Sequence, residues 1–159
     1  MSEIRALRAQ LALITEVVEA SLADITHEES VRSAIPGVND MNWVLGHLVQ
    51  VNAGILELLG RPGDPRSADL AYYAAGERTG GDDTDEWGLS DLRETFLQQT
   101  ALIDKALTDA PPELLAAAPP PGFEGELRDF LHFITFHQGY HVGQLGMLRR
   151  ALGYDRAFG

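Results

Sequence analysis

Two histidines four residues apart, His137 and His141, interrupt a helical stripe that is otherwise apolar: Leu127, Phe130, Ile134, Leu145, Leu148 and Leu152. Positions i and i+4 of an α-helix differ by about 40° around the axis and about 6 Å along it. Both imidazoles can therefore reach one ion at the usual metal to nitrogen distance of about 2.0–2.1 Å. Each buried imidazole left unpaired costs about 1–3 kcal/mol, and a shared ion satisfies both at once. The competing reading is a surface pair or two hydrogen-bonded core histidines. His47 lies between Val44 and Val51 at helical spacing and is a third candidate, although alone it would read as a core histidine. Together the three form a set that leaves coordination positions for water or substrate, as catalytic metal sites require. His27, expected near the negative end of the first helix, and His132, about 140° around its helix from His137, stand outside the set.

Imidazole ligands accept zinc, nickel, copper and iron, and the chain shows no bias among them; Zn2+ or Ni2+ is the first expectation, with Fe2+, Mn2+ or Cu2+ the alternatives. The run His137, Gln138, Gly139, Tyr140, His141 has the frame of the zinc-peptidase motif H-E-x-x-H, with Gln138 where the catalytic glutamate stands. A peptidase of that kind lacks its base, while hydrolysis by water activated on an ion stays open. A di-iron carboxylate site needs paired Glu-x-x-His motifs, and the lone D-x-x-H of Asp129 to His132 excludes it. Asp82, Asp83, Asp85 and Glu86 lack the glycine and final glutamate of a calcium loop and read as a solvated connection. Tyr72, Tyr73 and Trp87 either anchor that connection to the bundle or fold it over the site as a lid. Gly139, Gly143 and Gly146 give up about 3 kcal/mol of helix propensity, which implies close approach of another helix, within the bundle or across a dimer, or else room for substrate. Gln144 and Arg149 are wall candidates or plain helix-surface groups.

These residues need helices to hold them. Ile4, Leu7, Leu11, Ile14, Val18, Leu22 and Ile25 recur at 3-and-4 spacing and predict a first helix from Ser2, its cap, to about Ile25. Asn39 or Asp40 caps a second helix carrying Met41, Val44, Leu48, Val51, Ile55 and Leu58 up to Gly60. Residues 61 to 88 are rich in Gly, Pro and acidic groups and read as a long connection, with a short helical turn around Ala68 to Ala75. Ser90 is expected to cap a third helix with the stripe Leu92, Phe96, Gln99, Ile103 and Leu107, ending before Pro111. Pro119 to Pro121 are expected to cross the bundle in extended polyproline form, and the last helix runs from about Glu124 to Leu152. The expectation is an all-α, four-helix bundle with a long crossover between helices two and three, as a single domain over residues 1–159.

Composition narrows the function. Twelve Lys and Arg against 24 Asp and Glu give a net charge of −12, which repels nucleic acid and anionic lipid. With no cysteine, any metal is held by His, Asp or Glu and any thiol nucleophile comes from outside the chain. There is no signal-like start and no run of about 18 apolar residues, so a cytoplasmic protein without membrane spans is expected.

The stretch Phe136 to Gly153, FHQGYHVGQLGMLRRALG, and the segment Asn42 to Leu48, NWVLGHL, resemble the last and second helices of the DinB-like superfamily of four-helix-bundle metalloproteins. The resemblance implies that His47, His137 and His141 are the metal ligands. It further implies a homodimer, and an activity among those of YfiT-like metal-dependent hydrolases or bacillithiol- and mycothiol-dependent transferases. The chemistry implied is a metal-dependent thiol S-transferase or hydrolase acting with a small-molecule thiol or other small substrate. The alternative is a metal-binding or stress-response bundle without turnover, its ion serving stability.

Overall fold

The computed structural model describes residues 2–62, 69–74 and 87–157. Among these, the chain forms α1 (Ser2–Leu22), α2 (His27–Ser30), α3 (Met41–Leu58), a 3-10 turn (Asp69–Tyr73), α4 (Leu89–Asp109), α5 (Pro112–Leu115) and α6 (Leu127–Ala151), with no strand. No described helix is long and apolar enough to cross a membrane.

The long helices pack in a ring, α3 against α4 and α6, and α1 against α6 and α4. Two apolar clusters fill it. One gathers Ile14, Val18, Leu45, Leu48, Val49, Phe96, Val142, Leu145 and Leu148; the other gathers Leu7, Leu11, Ile55, Leu56, Ile103, Leu107, Leu127 and Leu131. Each helix contributes to both, and the order of contribution gives its direction. α3 and α4 run from the first cluster to the second, whereas α1 and α6 run from the second to the first. The topology is therefore up-down-down-up, with parallel α3 and α4 joined by the long crossover that the Gly- and Pro-rich stretch predicts. Burying each large apolar side chain contributes about 1.5–3 kcal/mol, and α3, with 13 of its 18 residues buried, is the central helix.

Between the clusters lies a polar layer. Asn52 of α3 and Gln138 of α6 are fully buried and Gln99 of α4 is 3% exposed. Gln138 Nε2 donates to Asn52 Oδ1 at 2.6 Å, while Gln138 Oε1, Asn52 Nδ2 and both polar atoms of Gln99 have no partner among the described residues. Each such buried atom costs about 1–3 kcal/mol.

Local chemistry moves several boundaries. α1 stops at Leu22 rather than Ile25, because Asp24 takes a left-handed φ of 64° and Thr26 starts a new helix through a capping box with Glu29. His27 consequently opens α2 instead of closing α1. α1 begins at Ser2 itself, so a cap ahead of it falls outside the described residues. Asp40 caps α3, its side chain accepting from Trp43 N–H at 2.8 Å. The N-cap of α4 is Gly88, not Ser90. α6 starts at Leu127 because Gly125 holds a φ of 93° and Asp129 accepts from Glu126 N–H at 2.9 Å. The proline run does not cross the bundle. Pro112 sits at the first position of α5, where its missing N–H is harmless. Leu127 N–H then donates to Ala117 C=O at 2.8 Å, closing residues 117–127 into a loop at one end of the ring.

Candidate metal centre

The packing of α3 on α6 brings His47, His137 and His141 together, with one ring nitrogen from each lying within 4.8 Å of the others. His47 and His141 are buried and His137 is partly so. Ring centroids are 4.6 Å apart for His47 and His141, 5.3 Å for His47 and His137, and 4.4 Å for His137 and His141.

Hydrogen bonds set the tautomers. The Tyr73 carbonyl can only accept, so His47 Nδ1, 2.8 Å away, carries the proton and its Nε2 keeps a lone pair. His141 Nδ1 donates in the same way to Gln144 Oε1 at 2.7 Å, which leaves the lone pair of its Nε2 toward His137. His137 Nε2 then donates to His141 Nε2 across 3.1 Å, and His137 Nδ1, buried and without a partner, is the acceptor-form nitrogen. Two of the three imidazoles are already in the form that offers Nε2 to an ion, each held by the second-nitrogen bond typical of metal-ligating histidines.

The donor set fits a divalent ion. Two nitrogens at about 2.0–2.1 Å from one tetrahedral metal stand about 3.3 Å apart, close to the 3.1 Å between His137 and His141. Burial depresses all three pKa values, with His141 pushed down to about 4, so each ring is neutral, and able to ligate, near pH 7. Among the described residues no fourth His and no carboxylate joins the group.

α3 is shaped around His47. Trp43, one turn earlier, stacks on its ring at 5.1 Å and 5°. Gly46 makes room for Tyr73: a Cβ there would lie 2.2 Å from Tyr73 Cδ1. The fully buried Tyr73 ring is tied by its hydroxyl, which accepts from Trp87 N–H at 2.7 Å and donates to Asn42 Oδ1 at 3.2 Å. Asn42 Nδ2 closes the loop on Trp87 C=O at 2.9 Å. Tyr73 and Trp87 thus anchor the crossover to the bundle rather than cover the site.

The other sequence candidates divide. Gln144 belongs to the site's wall, and Tyr140 joins it, its ring centroid 5.1 Å from that of His141 with the planes at 80°, and its hydroxyl accepting from Gln144 Nε2 at 3.4 Å. Arg149 does not. It is buried and donates to the carbonyls of Ser21, Ala23 and Asp155, which pins the end of α1 to α6. Gln138 points into the polar layer. His27 accepts from Leu89 N–H at 3.3 Å, and His132 is exposed. The acidic patch Asp82 to Glu86 lies outside the described residues. Among the described residues no atom lies within 4 Å of a Cβ placed at Gly139, Gly143 or Gly146, so close packing against another described helix is not their reason. Gly139, Gly143 and Gly146 border an open groove of about 670 Å3 beside Val17 and Met147. Sequence reasoning missed the Tyr73 carbonyl, the stacking of Trp43 on His47 and the Asn52–Gln138 pair. Gly46 inside an apolar helix and Trp43 four residues before a histidine were the signals.

The profile of the DinB superfamily matches residues 10–145, a span that holds all three histidines. Comparison with curated proteins and with solved structures gave no match.

Proposed function

The chain belongs to the DinB superfamily, and from that premise we propose that it is a divalent-metal-dependent S-transferase that joins a small-molecule thiol to an electrophile. His47, His137 and His141 are the ligands, with Zn2+ or Ni2+ the first choices of ion. The observation that carries this reading is the convergence of three neutral ring nitrogens within 4.8 Å, two with their tautomers set by Tyr73 C=O and Gln144.

A bound divalent ion would supply Lewis acidity, lowering the pKa of a thiol or water at its open position. Transfer is favoured over hydrolysis because no described carboxylate joins the histidines within ligand distance, and Gln138, at the position of the peptidase base, is turned away into the core. A thiol, with a pKa near 8.5, needs far less help to ionise than water. In the transfer the thiol sulfur bonds to the electrophilic carbon as the leaving group departs with the bonding pair, and the thiol proton passes to solvent. The chain has no cysteine, so the sulfur is the cosubstrate's. Gln144 and the 60% exposed Tyr140 provide the polar rim that orients it. A cytoplasmic location belongs to the same reading, since thiols are kept reduced there.

The reading includes a homodimer formed through α1 and α6. Leu13, Phe133, Phe136, Tyr140 and Met147 are each between 46% and 75% exposed, and the grooves beside them contain no acidic residue. Two chains of net charge −12 can meet on these grooves without bringing carboxylates together, and Arg150 and Arg156 line one of them.

The test is metal-loaded protein, purified without an affinity tag, incubated with low-molecular-weight thiols and a panel of electrophiles. Thiol consumption that is lost in His141→Ala is the expected result. Bound metal without consumption of any thiol would instead indicate a binding protein without turnover.

A further inference from the structure

We propose that Asn52 and Gln138 are positioning residues whose buried hydrogen bond sets the register of α3 on α6 and so the spacing of His47 from His137 and His141. The proposal rests on the three-histidine reading above, although its first test needs no ion.

The polar layer lowers stability. Its amides sit between apolar clusters, with Asn52 between Val49 and Ile55, Gln99 between Phe96 and Ile103, and Gln138 between Leu131 and Val142. Four of their polar atoms have no partner, so apolar side chains of similar size would hold the bundle as well or better. What apolar packing does not supply is a unique register. Leucines tolerate sliding or rotation of one helix on another, whereas the hydrogen bond of a buried amide pair forms in a single alignment.

The candidate site demands such an alignment, because its ligands are divided between these two helices. Among the described residues, Gln138 Nε2 to Asn52 Oδ1, at 2.6 Å, is the side-chain hydrogen bond joining α3 to α6. Gln138 belongs to the helical turn that runs from His137 to His141, so fixing its side chain fixes the rotation of both histidines. A slip of one residue moves a helix by about 1.5 Å, which is too far for nitrogens that must sit about 2.0–2.1 Å from one ion.

The decisive comparison is N52L/Q138L against wild type and against Gln99→Leu, which removes a buried amide outside the pair. In metal-free protein, NMR cross-peaks between the ring protons of His47 and His141, whose centroids are 4.6 Å apart, should persist in wild type and Q99L. In N52L/Q138L they should weaken or split, while its urea midpoint equals or exceeds that of wild type. In competition titrations with Zn2+ the affinity of the double variant should fall about tenfold or more, with Q99L unchanged, and its Co2+ absorption bands should broaden. Should N52L/Q138L be insoluble, Gln138→Met, which removes one half of the bond at constant length, replaces it in every comparison. Unaltered cross-peaks together with wild-type Zn2+ affinity overturn the proposal. If wild type itself takes up no Zn2+, the three-histidine reading falls, and the metal-free cross-peaks still decide whether the pair sets the register.

Discussion

Replacing Gly46 by alanine should disable the centre from a distance, through the fold. The new Cβ would lie 2.2 Å from Cδ1 and 2.3 Å from Cε1 of Tyr73, where carbon atoms normally stand about 3.5–4.0 Å apart. The ring must therefore move by more than 1 Å or leave. Tyr73 is fully buried and tied to both Trp87 and Asn42, so a small shift strains those bonds. A shift that keeps the ring inside costs about 1–3 kcal/mol. Complete expulsion exposes roughly 150–250 Å2 at about 25 cal/mol per Å2, or about 4–6 kcal/mol. Helix propensity returns about 1 kcal/mol of either loss. Net destabilisation, up to about 2 kcal/mol with the ring shifted and about 3–5 kcal/mol with it expelled, should appear as a lower urea midpoint at unchanged slope. Because the Tyr73 carbonyl holds His47 Nδ1, Zn2+ affinity should also fall about tenfold or more. Gly54→Ala is the control on the same helix, since nothing approaches its Cβ; it should stabilise by about 1 kcal/mol and leave metal binding intact. If G46A matches G54A in both measurements, the packing of Tyr73 does not hold His47.

Further outcomes follow from the same contacts. Stability of the metal-free protein should depend on pH through the buried histidines: with His141 near 4 in the folded chain and about 6.5 unfolded, the unfolded state binds more protons between these values. Stability is therefore full above pH 6.5 and declines as pH falls toward 4, by roughly 2–4 kcal/mol, with His47 and His137 acting in the same direction; a melting temperature flat from pH 7 to 5 would contradict this. Phe136→Asp, at a 75% exposed position, should convert a dimer to a monomer in sedimentation without altering Zn2+ affinity, and an unchanged sedimentation coefficient would remove this face as the interface. Arg149→Ala should lower stability by several kcal/mol, since three carbonyls lose their donor, and its circular-dichroism melt is the check.

What could be read from the chain follows the range of the interactions involved. The spacing of His137 and His141 is a property of one helix and was legible without a fold. The four long helices were legible for the same reason, with Asp40 visible as a cap. That His47 meets the pair depends on how α3 lies against α6, a tertiary fact that spacing alone does not contain, and the resemblance of NWVLGHL supplied it. The short helices α2 and α5 span a single turn each and have no periodicity to detect. The group that orients His47 is a backbone carbonyl, identical in every residue type, so no letter in the sequence could announce it. Gln138 was legible as a missing base, but its partner Asn52, 86 residues away, was not.

The central claim is that three histidines hold one ion, and metal stoichiometry in protein purified without an affinity tag tests it most directly. Elemental analysis should find close to one divalent ion per chain, lost in His47→Ala, His137→Ala and His141→Ala and retained in His132→Ala. Protein that carries no ion and takes up none from Zn2+ or Ni2+, or that binds equally well without His141, would contradict the account.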